Sequence, residues 1–343
     1  MLDSHTRLGQ LAKTYPLPNA YALQEPFFDQ LELGLLKLGM AGLVAIDGES
    51  HTEALGAAAE PGIIPVDRAY FELLERVCTL IAMQPHLDHF PEVDRSGSPI
   101  GYISRCPVFP GNVHTPPGTR SVSNGVALHR TYARACRAAL NELLERDALL
   151  RAWYGWLETI PIQLPDSPFQ RWAVTHYHVY ACQFGHHEPE RGYSIGILAR
   201  PKDPKRAPLL FSSAGGATLS EAVGNAEREA LQRLCFLWGE DIPKRAPQFS
   251  TSVDYHQAYY LVPDHHTLLE RFCRVGHTAL ATKAAAPPPV NTACVRFADL
   301  TPPTLSGGLK VVRAVCPNAL PVLFGHCELA SGLPPALQVH PIS

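Results

Sequence analysis

The strongest constraint on the fold of this chain is a pentapeptide that occurs twice, Glu-Leu-Leu-Glu-Arg, each time inside a helical pattern of apolar residues. Residues three apart lie on one face of an α-helix, so each copy presents two carboxylates side by side while its leucines point to the core. The pairs are Glu72 with Glu75 and Glu142 with Glu145. Because like charges repel in a half-buried position, such helices need either a cation between the carboxylates or a solvated face.

A divalent metal ion is the natural cation for these pairs. Mg²⁺ takes carboxylate oxygens and often completes its coordination with substrate phosphates. Arg76 and Arg146 follow the two copies and suit phosphate oxygens, so the two helices predict a nucleotide-phosphate cradle. A third segment repeats the spacing in Glu229 and Gln232, followed by Arg233. The alternative is an ordinary solvated helix face whose arginines form weak intrahelical ion pairs.

Composition and charge exclude several classes of protein. The chain has 343 residues, 46% of them apolar and 18% charged, and a formal net charge of −3. This is the composition of a globular protein, long enough for one large α/β domain or two packed halves. A net charge of −3 provides no basic field for nucleic acid, so we expect no nucleic-acid partner.

Targeting and redox signals favour the cytoplasm. The N-terminus has polar and acidic residues where a secretory signal has a basic and then an apolar region. The longest apolar run, residues 33–46, is too short to span a bilayer and contains Lys37, so we interpret it as a core helix running into a strand and expect no membrane contact. The nine cysteines include no C-x-x-C pair, which predicts neither a disulfide framework nor a zinc ribbon.

Hydrophobic periodicity gives the order of the main elements. Helical periodicity predicts helices at residues 67–83, 131–156 and 220–238. Alternation and β-branched or aromatic content predict strands at residues 176–184, 193–199, 207–213 and 308–317. The first two of these strands are expected to form a hairpin. The alanine- and proline-rich segment 283–292 is interpreted as a linker or flexible loop.

Four motifs, in order along the chain, resemble those of the YcaO family. Residues 123–153 resemble its central signature, which is Asn-Gly-x-Ala, a short turn, a small-residue helix and then Glu-x-x-Glu-Arg-Asp-Ala. The residues that fit are Asn124, Gly125, Ala127, Thr131, Glu142, Glu145, Arg146, Asp147 and Ala148. The first pentapeptide is similar to the family's earlier Glu-x-x-Glu-Arg element. Residues 221–234 are similar to its Ala-Leu-x-Glu-Ala-x-Gln segment, and residues 297–321 to its Asp-Leu-Thr and Val-Val-Arg-Val strands.

The resemblance implies a mixed α/β (α+β) fold whose helices carry the acidic motifs. It implies a YcaO-like catalytic domain over residues 61–343, with residues 1–60 as an N-terminal segment packed on it, and ATP and Mg²⁺ as cofactors. The metal ligands predicted on this basis are Glu72, Glu75, Glu142, Glu145, Glu229 and Gln232. The predicted phosphate-binding residues are Arg76, Arg146, Arg233 and Arg313. Such residues suit phosphoryl transfer, which asks a protein mainly for positioning and charge neutralisation.

Members of this family use ATP to activate a backbone amide oxygen of a ribosomally made precursor peptide, as in the biosynthesis of bacteriocins and antibiotics with thiazole or oxazole rings. The resemblance therefore implies an ATP-dependent cyclodehydratase that converts Cys, Ser or Thr to thiazoline or oxazoline. There are two alternatives: a thioamide- or amidine-forming enzyme, and a non-catalytic subunit that scaffolds a modification complex.

The resemblance also implies partners. They are the precursor peptide, a leader-binding protein and a flavin dehydrogenase, in a hetero-oligomer or a homodimer. We expect the leader-binding protein to be a separate chain, because 343 residues leave no room for a fused leader-binding domain.

Departures from the family pattern support the non-catalytic alternative. Ala69 stands where the motif of the first copy has serine, and the upstream Gly-Lys-Gly is absent. Arg130 stands where the family has an asparagine against the nucleotide. The proline-containing C-terminal residues, 333–343, are similar to the tail that reaches the active site in azoline-forming members, or are a disordered tail.

Other conspicuous segments have ordinary interpretations. Paired histidines at residues 186–187 and 265–266 lack a third ligand at metal spacing and are expected in surface loops. The Gly-Gly at residues 215–216 either lets backbone amides approach phosphate or forms a plain strand-to-helix turn. Residues 268–272 partly repeat the pentapeptide and are interpreted as a solvated helix face.

Overall fold

The structure is a computed structural model that describes residues 3–84, 86–109, 119–120, 124–245, 247–248, 253–275, 286–324 and 337–342. Its helices are α1 (Ser4–Thr14), α2 (Val66–Ala82), α3 (Arg105–Val108), α4 (Tyr132–Trp153), α5 (Pro168–His176), α6 (Leu219–Leu237), α7 (Val253–Leu261) and α8 (His266–Val275). Its strands are β1 (Tyr21–Leu23), β2 (Phe27–Leu33), β3 (Leu36–Asp47), β4 (Glu53–Pro61), β5 (His89–Val93), β6 (Pro99–Ser104), β7 (Thr119–Arg120), β8 (Val126–His129), β9 (Thr159–Pro161), β10 (Tyr177–Phe184), β11 (Tyr193–Pro201), β12 (Leu210–Gly216), β13 (Arg296–Asp299), β14 (Lys310–Val315) and β15 (Leu323–Phe324). In these ranges, no helix combines the length and the apolarity that crossing a bilayer requires.

The chain divides into two compact units. The first comprises Met1–Pro110, Val122–Leu140 and Ala293–Pro317, and the second comprises Gly111–Ser121, Asn141–Thr292 and Asn318–Ser343. Helix α4 begins in the first unit and ends in the second. The predicted mixed α/β class is confirmed, because antiparallel sheets combine with helices in both units. The division at residue 60 into an N-terminal segment and a catalytic domain stays a prediction.

In the first unit, helix α2 packs on a sheet of β1, β3 and β2, with β4 also paired to β3. A glycine on β4 makes this packing close, since a Cβ at Gly56 would lie 2.2 Å from the carbonyl oxygen of Ala69 and 2.7 Å from Cβ of Leu73. Only glycine allows a strand and a helix to approach so closely. Because Ala69 and Leu73 are fully buried, the contact fixes the helix that carries the first pentapeptide.

The other large sheet of the first unit holds the beginning of α4. Its strand order is β6-β5-β13-β14-β8, which confirms the strand predicted near residues 308–317 as β14. Tyr132, the first residue of α4, donates its hydroxyl to Asp299 Oδ2 at 2.5 Å, and Asp299 Oδ1 accepts from the Thr301 amide at 2.9 Å. The Asp-Leu-Thr motif therefore anchors the helix that carries the second pentapeptide.

The apolar run at residues 33–46 is a β-hairpin, so the predicted core helix is wrong. β2 ends at Leu33, and β3 starts at Leu36 after a turn in which Gly34 has a φ of +66°. β3 pairs with both β2 and β4 and is largely buried. A strand buried on both faces has a nearly continuous apolar sequence, which periodicity alone does not distinguish from a buried helix.

In the second unit, β12, β11, β10 and β9 form an antiparallel sheet, and the predicted hairpin of β10 and β11 is confirmed. Helix α6 packs on β12, and α8 packs on β9, β10 and β11. Residues 268–272 lie on this amphipathic helix, where Leu269 and Phe272 are fully buried and Arg271 is exposed. Glu270 on the same helix accepts a hydrogen bond from the Tyr180 hydroxyl at 2.8 Å.

A buried ion pair on α4 anchors two loops of the second unit. Arg151 Nε donates to Asp147 Oδ2 at 2.6 Å, and Arg151 also donates to the carbonyl oxygens of Pro287 and Pro288 at 2.8 Å each. Asp147 Oδ1 accepts from the Leu320 amide at 2.9 Å. The part of the predicted linker that the structure describes is thus held against the helix, and its first three residues lie outside the described ranges.

Candidate nucleotide and metal site

The second pentapeptide lies on α4, and its second glutamate is buried, with 3% of its surface exposed. Glu145 Oε1 accepts a hydrogen bond from Ser213 Oγ on β12 at 2.5 Å, and its Oε2 lies 3.5 Å from Arg146 Nε. Burial raises the pKa of Glu145, although Arg146 and the Ser213 hydrogen bond oppose this shift. The fold therefore holds this carboxylate in the interior between a hydroxyl and a guanidinium. Sequence reasoning did not identify Ser213.

Arginines and glutamates of α4 and α6 form one cluster in the second unit. Burial acts to lower the pKa of Arg146, but Glu145, Glu142 and Glu229 outweigh it, so the pKa is raised. Burial lowers the pKa of Arg233 to about 10, with Glu229 opposing and Arg146 adding to the shift. We call these five residues, Glu142, Glu145, Arg146, Glu229 and Arg233, the Glu–Arg cluster. When its three carboxyl groups are ionised, they exceed its two guanidiniums by one negative charge.

Helix α6 is set on β12 by glycine and a capping threonine. A Cβ at Gly216 would lie 2.5 Å from the Ala222 amide nitrogen, and the Thr218 hydroxyl accepts from the Glu221 amide at 3.1 Å. This geometry favours the strand-to-helix turn as the reason for the Gly-Gly sequence. Gln232 lies half-buried on this helix and stays a predicted ligand.

The first pentapeptide lies on α2 in the first unit. Glu72 Oε1 pairs with Arg76 within the helix at 3.2 Å, and its Oε2 accepts from the Ala57 amide at 3.4 Å. Glu75 Oε2 accepts from the Leu128 amide at 2.8 Å. A cavity of about 250 Å³ is lined by Ala57, Ala58, Arg68, Phe71, Glu72, Glu75 and Leu128. Both carboxylates therefore line a cavity. Arg76 forms the intrahelical ion pair that is expected for an ordinary solvated helix face.

The remaining predicted residues have mixed surroundings. Arg313 is buried on β14, with its guanidinium carbon 5.0 Å from the centre of the Phe109 ring, and its phosphate role stays a prediction. Arg130 is exposed just before α4. The predicted metal set draws on both units, with Glu72 and Glu75 in the first, and its assembly into one site stays a prediction.

The donors of the Glu–Arg cluster suit a nucleotide-bound Mg²⁺. Across the described ranges, no group of three or more His, Cys, Asp or Glu side chains is arranged to hold a metal ion. Mg²⁺ is commonly bound through one or two carboxylates, with phosphates and water completing the shell. Glu142 and Glu145 supply such a pair, and Arg146 and Arg233 beside them suit phosphate oxygens. The residues therefore fit Mg²⁺ with ATP.

The C-terminal residues 337–342 are buried, so the disordered-tail alternative is wrong for them. Trp153 Nε1 on α4 donates to the carbonyl oxygen of Leu337 at 2.9 Å. The rest of the predicted tail, residues 333–336 and 343, lies outside the described ranges.

His340, in this C-terminal segment, lies within electrostatic range of Arg146 in the Glu–Arg cluster. Its Nε2 lies 2.7 Å from the carbonyl oxygen of Leu323. Burial lowers the pKa of His340 well below its ordinary value, and His256 and Arg146 lower it further. The imidazole is therefore neutral at physiological pH, and the segment adds no charge to the cluster.

The histidine pairs differ in exposure. His186 and His187 are exposed, as expected for a surface loop. His266, at the beginning of α8, is only 5% exposed, so the surface-loop interpretation is wrong for it. Burial lowers the pKa of His266 to about 4, and the positive charge of Arg200 contributes to the shift.

We expect His266 to make the protein less stable in acid. Its pKa falls from about 6.5 unfolded to about 4 folded, so the unfolded chain binds the proton first, and stability is lost as the pH falls from 6.5 towards 4. The variant His266→Leu should lose about 1.4 kcal/mol less per pH unit in this window than the unmodified protein. Urea unfolding at several pH values measures this, and equal slopes would contradict it. His186→Leu, at an exposed site, is the control.

The model of the family described as YcaO cyclodehydratase, ATP- and Mg²⁺-binding, matches residues 102–320, which is more than half of the chain. The chain matches no curated protein at a significant level.

Solved structures share the fold at low sequence identity. YcaO from Methanopyrus kandleri, bound with AMPPCP and Mg²⁺, has a TM-score of 0.56 and 15% identity, covering 91% of this chain and 90% of its own. A heterocyclase in complex with substrate and cofactor has a TM-score of 0.54 and 13% identity, and the match covers 87% of this chain but only 50% of the heterocyclase. The predicted family, with its ATP and Mg²⁺, is therefore confirmed: the chain belongs to the YcaO family.

Proposed function

We propose that this chain is an ATP- and Mg²⁺-dependent enzyme that activates backbone amides of a ribosomally made precursor peptide. In this proposal it cyclodehydrates Cys, Ser or Thr residues to thiazolines or oxazolines. The observation that carries the proposal is the Glu–Arg cluster, where a buried carboxylate lies among further glutamates and two arginines. Membership of the YcaO family and the likeness to a heterocyclase support it.

The proposed roles follow from charge and position. When bound, ATP supplies the phosphoryl group that makes the amide oxygen a good leaving group, and Mg²⁺ offsets the phosphate charge. We propose Glu142 and Glu145 as the carboxylate pair that binds Mg²⁺, and Glu229, Gln232, Glu72 and Glu75 as further ligands of the Mg²⁺-nucleotide site. The proposed phosphate contacts are Arg146, Arg233, Arg76 and Arg313. Burial of Glu145 keeps water from its carboxylate, which strengthens its attraction for a cation.

The proposed partners are those of a peptide-modifying complex. They are the precursor peptide, a leader-binding protein and a flavin dehydrogenase that oxidises the rings, acting in the cytoplasm. The C-terminal segment at residues 337–342 is buried, and its His340 is within electrostatic range of Arg146. Because azoline-forming members of the family resemble one another in a C-terminal tail that reaches the active site, this position favours ring formation over the thioamide or amidine chemistries. Mass spectrometry of the peptide separates them, because an azoline loses one water and a thioamide exchanges oxygen for sulfur.

A non-catalytic subunit is the second candidate function. Ala69 is fully buried where the family motif has a serine, so no hydroxyl is present at that position. Arg130, exposed before α4, replaces the motif asparagine. In this alternative the chain docks the peptide or a catalytic partner and does not turn over ATP.

Nucleotide binding separates the two candidates. We expect isothermal titration to show ATP binding that depends on Mg²⁺, and we expect the double variant Glu142→Gln, Glu145→Gln to lose at least about tenfold in affinity, because the amides keep size but lose charge. The variant Glu188→Gln, at an exposed glutamate, is the matched control. Absence of nucleotide binding by the unmodified protein, alone and with its leader-binding partner, would favour the non-catalytic subunit.

A further inference from the structure

Two neighbouring serines on β12 make different contacts. Successive side chains of a strand point to opposite faces. Ser212 Oγ donates to the carbonyl oxygen of Ala226 on α6 at 2.8 Å, whereas Ser213 Oγ donates to Glu145 Oε1 on α4 at 2.5 Å. Both serines are buried, with exposed fractions of 1% and 8%. One hydroxyl thus contacts a helix backbone, and the other contacts a carboxylate of the Glu–Arg cluster.

The approach of β12 to α4 is close at this point. A Cβ at Gly215 would lie 3.0 Å from the carbonyl oxygen of Asn141 and 3.3 Å from Cβ of Glu145. A side chain at position 215 would push the strand away from the helix. The glycine therefore keeps the Ser213 hydroxyl within hydrogen-bond distance of the carboxylate.

The hydrogen bond also determines how the carboxylate is turned. With Oε1 accepting from Ser213, Oε2 is the oxygen that faces Arg146 at 3.5 Å. The terminal torsion of a glutamate is broad when nothing holds it, so a buried donor removes that freedom. The Glu145 carboxylate is therefore oriented before any cation or phosphate binds, because Ser213 donates to one of its oxygens and Arg146 faces the other.

We propose that Ser213 is a positioning residue of the Mg²⁺-nucleotide site, whose hydroxyl holds the Glu145 carboxylate in the orientation that receives Mg²⁺ with ATP. This inference rests on the proposed function. It gives a role to Ser213, which lies two residues before the Gly-Gly of residues 215–216 and which the sequence motifs left unassigned.

The test compares the two serines. Ser213→Ala and Ser212→Ala each remove one buried hydroxyl from the same strand, so a purely structural effect should be similar in both. We expect Ser213→Ala to weaken Mg²⁺-dependent ATP binding about tenfold, because a hydrogen bond to a charged group is lost. Ser212→Ala should leave this affinity unchanged, and Ser213→Thr, which keeps the hydroxyl, should restore it. Isothermal titration with ATP, with and without Mg²⁺, measures the affinities, and circular dichroism confirms folding.

The outcomes distinguish this inference from the proposed function. If the unmodified protein binds Mg²⁺-ATP and Ser213→Ala binds it equally well, or if Ser212→Ala loses as much, the positioning role is wrong and the proposed function stands. If the unmodified protein binds no nucleotide, alone and with its leader-binding partner, both are wrong. Should Ser213→Ala not fold, Ser213→Cys replaces it, since the thiol fills similar space but is a weak donor, and an unchanged affinity there would overturn the inference.

Discussion

We expect Arg151→Met to lower the free energy of unfolding by about 3–5 kcal/mol, because it leaves the buried carboxylate of Asp147 without its cation. Arg151 and Asp147 are 5% and 2% exposed. The substitution also removes the donors to the carbonyl oxygens of Pro287 and Pro288 in one loop and of Asn318 in another, so both loops lose hydrogen bonds to α4. Urea unfolding followed by circular dichroism measures the change.

The matched control for Arg151 is an arginine in an exposed ion pair. Arg171 pairs with Asp166 at 2.6 Å with both side chains more than half exposed, so Arg171→Met should cost less than about 1 kcal/mol. Equal losses in the two variants would show that the buried pair has no special part in holding the loops.

We expect Trp153→Ala to lower the free energy of unfolding by about 3–5 kcal/mol as well, through a large cavity in the core of the second unit. Trp153 is fully buried, and its ring meets that of Phe272 edge to face at a centroid distance of 5.1 Å. The variant also lacks the donor to the Leu337 carbonyl oxygen. Hydrogen exchange should therefore become faster at residues 337–342 than in the unmodified protein.

An exposed aromatic residue supplies the comparison for Trp153. Phe236 on α6 is 41% exposed, so Phe236→Ala should cost less than about 1 kcal/mol and leave exchange at residues 337–342 unchanged. A loss below about 1 kcal/mol for Trp153→Ala, or unchanged exchange at the C-terminal segment, would contradict the packing described above.

Local sequence predicted those parts of the fold whose signal lies within one element. Helices α2, α4 and α6 begin and end within three residues of their predicted bounds, because their apolar residues recur with the helical period over four or more turns. The hairpin of β10 and β11 was predicted for a similar reason. The apolar run at residues 33–46 predicts a helix but forms the end of β2 and most of β3, because β3 is largely buried and so has no polar face to reveal the period of two.

The sequence predicts those site residues that belong to a motif repeated within single helices. It does not predict the contacts that form between segments far apart in the chain. The Glu-x-x-Glu-Arg spacing identified Glu142, Glu145 and Arg146, and the third helix supplied Glu229 and Arg233. Which of these carboxylates is buried depends on packing between elements far apart in the chain.

By itself, the sequence determined the amphipathic helices, the like-charged pairs on their faces and the family to which the chain belongs, because these depend on residue type and spacing within one segment. Only the tertiary structure decided that Ser213, 68 residues away, donates to Glu145, and that Arg151 is bonded to loops 136 and more residues distant. It also decided that His266 and the C-terminal segment are buried. The physical reason is that burial and hydrogen-bond partners are properties of contacts between segments, which local periodicity does not encode.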